Sequence, residues 1–186
     1  DINDDYLIDT KKIKKSITKK TKAIIPVHLY GKSCEMSDLI RICKKFKVHL
    51  IEDCAQAQGA KYNNRFVGTF GSFGCFSFYP TKILGGYGDG GFILTNDFNL
   101  YKKAKNIRFY GIDTVDKKNK FFNKYYSNIN GVNSRLDELN SSILDYKLKK
   151  TDIFIKKRRL IANIYNQKLR KTSLVLPSIN NKLFDV

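Results

Sequence analysis

The sequence predicts an α/β fold built on a mostly parallel sheet, and three stretches carry that expectation. KAIIPVHL (22–29) is a compact apolar run of strand type, closed by Tyr30-Gly31. Residues 36–47, MSDLIRICKKFK, place Met36, Leu39, Ile40, Cys43 and Phe46 on one helical face, with Ser33 or Ser37 available as the cap. Val48 to Ile51 is a second short apolar strand that runs into Glu52-Asp53. Strand, helix and strand in that order make a βαβ unit, whose crossover implies parallel pairing.

The flanking elements follow by the same rules. Ile13 and Ile17 lie four apart and put a basic helix within 6–20, after a short extended piece. KYNNRFVG (61–68) reads as a hairpin around Asn63-Asn64. FGCFSF (73–78) is a buried strand, followed by a glycine-rich turn at 85–91 and a strand over Phe92 to Thr95. A helix capped by Asn96 or Asp97 covers 98–107. Residues 108–133 are polar and irregular, and a loop of that length inside a domain is usually functional. From Arg135 the pattern is helical again, with Leu136, Leu139, Ile143 and Leu144 sharing a face. A last helix, 151–171, carries Ile153, Leu160, Ile161, Ile164 and Tyr165, and the tail after Pro177 reads as unfinished.

At 186 residues the chain is one domain, or one domain plus a piece of another. Hydrophobic residues at 42% exclude wholesale disorder. No apolar run is long enough to span a membrane, and DINDDYLIDT lacks the basic and apolar regions of a signal peptide. A cytoplasmic location is therefore the default expectation. Cys34, Cys43, Cys54 and Cys75 form no CxxC pair, and adding His28 and His49 does not rescue a zinc site, so no metal is expected.

The net charge of +18 raises the question of nucleic acid. Much of it is local: KKIKKSITKKTK (11–22), KLKK (147–150) and KKRR (156–159). Lysine dominates arginine, and the basic clusters are not interleaved with aromatics in a stacking pattern. Solvated lysine-rich helix faces explain the charge better than a nucleic-acid surface does.

Three residues and one motif attract attention for their chemistry. Asp53 sits at the carboxyl end of the second strand of the βαβ unit, the edge where open α/β sheets collect ligands. Its carboxylate can pair with a cationic ligand atom, or serve only as a turn residue. GYGDGG (86–91) matches G-x-G-x-x-G, but a strand rather than a helix follows, so the dinucleotide fingerprint is rejected. Lys82 follows an apolar strand and has no other charged residue between 66 and 88. A lysine desolvated in that way can act as a nucleophile or base. Ser77, five residues earlier, offers a hydroxyl to a phosphate.

The segments TKAIIPVHLYG (21–31), EDCAQAQGA (52–60), SFYPTKILGGYGDGG (77–91) and NGVNSRLDEL (130–139) together resemble the DegT/DnrJ/EryC1/StrS family. These are enzymes that use pyridoxal 5'-phosphate (PLP) and act mostly on nucleotide-linked keto sugars. The similarity runs from about residue 5 to about residue 172, in the expected order and spacing. It implies the aspartate-aminotransferase (fold type I) large domain, three-layer α/β/α, truncated at both ends. Residues 1–149 would be the partial PLP-binding domain, and 150–186 a linker helix and the start of a small C-terminal domain.

The same resemblance implies roles. Lys82 is the lysine that holds PLP as a Schiff base and shuttles the proton. Asp53 pairs with the pyridine nitrogen, Gln56 hydrogen-bonds the PLP hydroxyl, and Ser77 binds the phosphate. Asn133 reaches the phosphate of the neighbouring subunit, which implies a homodimer with shared active sites. His28 and Tyr79 lie in matching motifs without a defined role. Glutamate is the expected amino donor, and C3 of a dTDP-linked 3-keto-6-deoxyhexose the expected acceptor, in amino-sugar and surface polysaccharide synthesis. Members that become dehydratases carry histidine in place of the lysine, so Lys82 favours transamination. Ile83 and Asn140-Ser141-Ser142 depart from the family pattern and touch none of the implied chemistry. Members are about twice this long, so the resemblance makes this chain a central fragment, without the N-terminal phosphate turn and ring-stacking aromatic. The competing class is a catalytically silent basic fragment that binds polyanions.

Overall fold

The structure is a computed structural model that describes residues 1–113, 126–177 and 183–186. A four-stranded sheet organises it, in the order β1 (Ala23–Ile24), β2 (His49–Asp53), β5 (Phe73–Ser77), β6 (Gly91–Leu94). β1, β2 and β5 run parallel, with Ile24 opposite Leu50 and Asp53 opposite Cys75. β6 returns antiparallel to β5, with Ser77 opposite Gly91. The carboxyl ends of the three parallel strands therefore lie along one edge.

The βαβ unit forms in the predicted order. Helix α2 (Met36–Phe46) buries Met36, Leu39, Ile42 and Cys43, so its buried face takes in Ile42, while Ile40 is only partly buried and Phe46 is exposed. With α1 (Thr10–Ser16), which contributes Ile13, it covers Leu50 of β2 and Ile24 of β1. Its cap differs from expectation. Glu35 occupies the N-cap, but its carboxylate accepts from the Tyr62 hydroxyl rather than capping the helix amides, Ser33 donates to the Cys34 carbonyl, and Ser37 bonds the Tyr62 hydroxyl at 2.8 Å. Both serine side chains are thus taken up elsewhere. β1 is shorter than the apolar run that encodes it, because Pro26 has no amide hydrogen to extend the ladder. Val27 still bridges Asp53.

β3 (Lys61–Tyr62) and β4 (Arg65–Phe66) form the expected hairpin, with Asn63 and Asn64 both at positive φ. The tail adds β7 (Leu183–Phe184), a strand that pairs with β3 and has no counterpart in the sequence reading. β5 is half-buried along most of its length rather than buried, since only Gly74 is fully covered. Helix α3 (Phe98–Ile107) is capped by Asp97, whose carboxylate accepts from the Asn99 and Leu100 amides.

Helix α4 (Glu138–Leu148) starts later than the apolar pattern, at an Asp137 cap, and buries Leu144 while Leu139 is 80% exposed. Leu136 precedes the helix and packs with Leu144, Phe78, Leu84 and Phe92 into a small cluster beneath the glycine-rich turn. Helix α5 (Thr151–Leu169) buries only Ile155, against Gly59. Much of the long loop expected over 108–133 lies outside the described residues. Among the described residues, no helix is long and apolar enough to cross a membrane.

Candidate active site

Four of the five residues singled out from sequence lie along the carboxyl edge of the parallel strands. Asp53 ends β2, and Ser77 ends the neighbouring strand β5. Residue 53 is held from both sides. Its amide donates to the Pro26 carbonyl at 2.9 Å, its carbonyl accepts from the His28 amide at 3.0 Å, and the next amide, of Cys54, donates to the Cys75 carbonyl at 2.8 Å. One carboxylate oxygen of Asp53 accepts from the Ala55 amide at 3.0 Å, which orients the half-buried side chain.

Gln56 is exposed, and its Oε1 accepts from the Tyr30 amide at 2.9 Å. That bond leaves the two amide hydrogens of Gln56 for a ligand acceptor. Ser77 Oγ accepts from the Tyr79 amide at 3.1 Å and keeps its own proton to donate. Lys82 is half-buried, its amide closes a turn on the Tyr79 carbonyl at 2.9 Å, and its Nζ has no partner among the described residues. The donor set therefore offers a carboxylate, an amide donor, a hydroxyl donor and an amine along one edge. That fits a cofactor with a protonated ring nitrogen, a ring hydroxyl, a phosphate and an aldehyde.

The loop that carries Lys82 is braced from two sides. Gln58 is buried; its Nε2 donates to the Ser77 carbonyl at 2.6 Å and the Leu84 carbonyl at 3.3 Å, and its Oε1 accepts from the Leu84 amide at 2.7 Å. From α4, Asn140 Oδ1 accepts from the Tyr87 amide at 3.0 Å, and Lys147 Nζ donates to the Gly85 carbonyl at 2.6 Å. Gly86 lies so close to Asn140 that any Cβ there would collide with its side-chain amide. Position 140, which departs from the family pattern, thus supports the glycine-rich turn. Asn140 does not reach Lys82, but it fixes the turn that follows it.

His28 resolves into a core residue. It is fully buried; Nδ1 accepts from the Cys34 amide at 3.0 Å, so the ring proton sits on Nε2 and points at Glu52 Oε2, 3.3 Å away. Glu52 is equally buried and accepts from the amides of Gly68 (2.6 Å), Phe70 (2.7 Å) and Gly71 (2.8 Å). Burial alone would raise its pKa, but the bonds from His28, Gly68 and Gly71 outweigh burial and hold it below the ordinary carboxylate range.

Ligand atoms of His28, Glu52 and Cys54 lie within 4.8 Å of one another. The His28 and Glu52 atoms are already engaged as described. Burial and the Glu52 charge push the Cys54 thiol up, and burial pushes Cys34 to about 12. The trio belongs to the core network.

Asn133 is exposed, and its backbone bridges Phe109. No hydrogen bond among the described residues links it to the other four. Tyr79 is exposed beside Ser77. Sequence reasoning passed over Glu52 and Gln58. A carboxylate on the buried face of a short apolar strand was the available signal for Glu52, since such a group demands several donors. Gln58 carries no comparable signal.

A model of the DegT/DnrJ/EryC1/StrS aminotransferase family matches residues 1–183. The chain belongs to this family. It is 42% identical over 163 residues to the dTDP-3-amino-3,4,6-trideoxy-alpha-D-glucose transaminase of Micromonospora megalomicea subsp. nigra, covering 88% of this chain and 41% of that one. It is 45% identical over 181 residues to the dTDP-3-amino-3,6-dideoxy-alpha-D-galactopyranose transaminase of Aneurinibacillus thermoaerophilus, covering 97% and 47%. The family aminotransferase from Brucella abortus superposes with a TM-score of 0.89 at 32% identity, over all of this chain and 49% of that one. The fold is thus that of type I PLP aminotransferases, as the sequence implied. The family's cofactor is PLP, and the solved E coli GDP-4-keto-6-deoxy-D-mannose-3-dehydratase, 29% identical, holds it in hydrated form. This family member spans somewhat less than half the length of the curated relatives named above.

Proposed function

We propose that this chain is the central part of an enzyme that transfers an amino group to a nucleotide-linked keto sugar with PLP. The observation that carries the reading is the oriented side chains of Asp53, Gln56 and Ser77 at the carboxyl edge of the parallel strands, with Lys82 on the loop that leaves the end of β5. When bound, the cofactor supplies an aldehyde to carry the amino group and an electron sink for carbanion chemistry. Asp53 holds a proton on the ring nitrogen. Gln56 donates from Nε2 to the ring hydroxyl, and Ser77 donates from Oγ to the phosphate. Lys82 Nζ serves as covalent anchor and, once released, moves a proton between reacting carbons.

Similarity to two dTDP-3-amino-sugar transaminases supports C3 of a dTDP-linked 3-keto-6-deoxyhexose as the acceptor, in amino-sugar and surface polysaccharide synthesis. Glutamate is the proposed donor. Exposed Asn133 would serve the site of a second copy, in a cytoplasmic homodimer with shared active sites. Residues 1–149 would form the cofactor domain, and 150–186 lead into the smaller one.

Covalent trapping tests the reading. The chain is incubated with PLP, reduced with borohydride and mapped by peptide mass spectrometry, with Lys82→Ala as control. A dominant adduct on Lys82, lost in the control, is expected. Adducts spread evenly over the 28 lysines and the N-terminus would sink the reading for this chain.

A further inference from the structure

Tyr6 and Tyr30 are both held at positive φ, 62° and 57°. Bulky side chains rarely adopt that conformation, and it persists only where surrounding structure enforces it. Here the enforcement is visible. Asn3 Oδ1 accepts from the amides of Asp5 (3.0 Å) and Leu7 (3.1 Å), and the Tyr6 amide donates to the Asn3 carbonyl at 3.0 Å. Leu7 is buried in the main core. Asp5 pairs with Lys32 Nζ at 2.6 Å, which ties the Tyr6 turn to the segment just after Tyr30. The Tyr30 amide is fixed on Gln56.

All this order supports two rings that are not buried. Tyr6 is 59% and Tyr30 72% exposed, and they meet edge to face with centroids 6.3 Å apart at 78°. A strained backbone that presents apolar surface to solvent is unexplained by packing. Tyr30 follows the end of β1, at the ligand edge of the sheet, one hydrogen bond from Gln56.

We infer that Tyr6 and Tyr30 form a stacking platform for the base of the nucleotide carried by the sugar substrate. This rests on the function proposed above and adds the residues that would grip the nucleotide. Two aromatic faces beside Gln56, at the ligand edge of the sheet, suit a small planar ligand. Stacking is also tolerant of base identity, because every base has a π-face.

The test is calorimetric titration of the chain with dTDP, and separately with inorganic pyrophosphate. Asn tolerates positive φ, so Tyr6→Asn and Tyr30→Asn remove the rings while keeping the turns. The double variant is expected to bind dTDP on the order of tenfold to a hundredfold more weakly, with pyrophosphate binding unchanged and with rescue by Tyr6→Phe/Tyr30→Phe. Undiminished dTDP affinity in the double Asn variant, equal loss of pyrophosphate binding, or no dTDP binding by the unmodified chain would overturn the platform. Dissociation of a dimer on removing the rings, seen by sedimentation, would overturn it in favour of a self-association surface. PLP trapping at Lys82 is read on the same samples. Trapping that persists while dTDP affinity ignores the rings rejects the platform alone, and loss of trapping in the unmodified chain rejects the parent reading.

Discussion

Between β1 and β6, every fully buried side-chain nitrogen and oxygen among the described residues has a partner, and α2 buries Met36, Leu39, Ile42 and Cys43. Along α5, Ile153, Leu160, Ile161, Ile164 and Tyr165 face outward, and Ile155 alone is buried. Both helices obey the same spacing rule in sequence. The periodicity of apolar residues fixes that a helix forms and which face is apolar, but burial depends on what the rest of the chain sets against that face. The region around the candidate site is tied together by paired buried polar groups, while α5 is a helix with its apolar face largely uncovered.

Substitutions can break this contrast, and the largest effect belongs at Glu52. Glu52→Ala leaves three backbone donors and His28 without an acceptor in a dry core, so a loss of at least about 3 kcal/mol is expected in chemical denaturation. Gln58→Leu strips the Lys82 loop of its inner brace and is expected to cost about 2 kcal/mol, with faster amide exchange at Leu84. A small change there would mean the loop is held from α4 instead.

Acid sharpens the same point. The Glu52 carboxyl titrates lower in the folded chain than in the unfolded one. Its contribution is therefore complete above the unfolded value, ~4.3, and is lost as pH falls through the lower folded value. The stability gap between the natural chain and Glu52→Gln should be wide at pH 7 and should shrink progressively as pH falls below the unfolded value of ~4.3. A gap independent of pH would deny that the carboxylate is the anchor.

Asn140→Ala removes one acceptor from the Tyr87 amide and is expected to cost about 1 kcal/mol, read as a shift in denaturation midpoint. Leu160→Ser on the open face of α5 should change stability by less than about 0.5 kcal/mol. A large loss there would mean that this face is covered after all.

The sequence made most of the sheet legible, because Ile24, Leu50 and the α2 face follow simple periodicities. The hairpin was legible in Asn63-Asn64, whose side chains tolerate the turn. Asp53 and Lys82 stood out by position at a strand end and by isolation from other charge. Three things were hidden. β7 pairs with β3 across more than a hundred residues, which no local pattern encodes. The serine caps failed because Ser33 and Ser37 found other partners. The supports of the site, Gln58, Asn140 and Lys147, act through backbone groups of a distant loop, so their value exists only once the chain has folded.

The Glu52 anchor also bears on how the chain is made. The amides it gathers lie only 16 to 19 residues downstream. Closing so short a span carries a modest entropic cost, which grows only with the logarithm of length. The charged group can thus be satisfied as soon as residue 71 has emerged from the ribosome, long before α4 and α5 exist. During synthesis the half of the site that contains Asp53 would take shape first, and wait for the lysine-bearing turn to arrive.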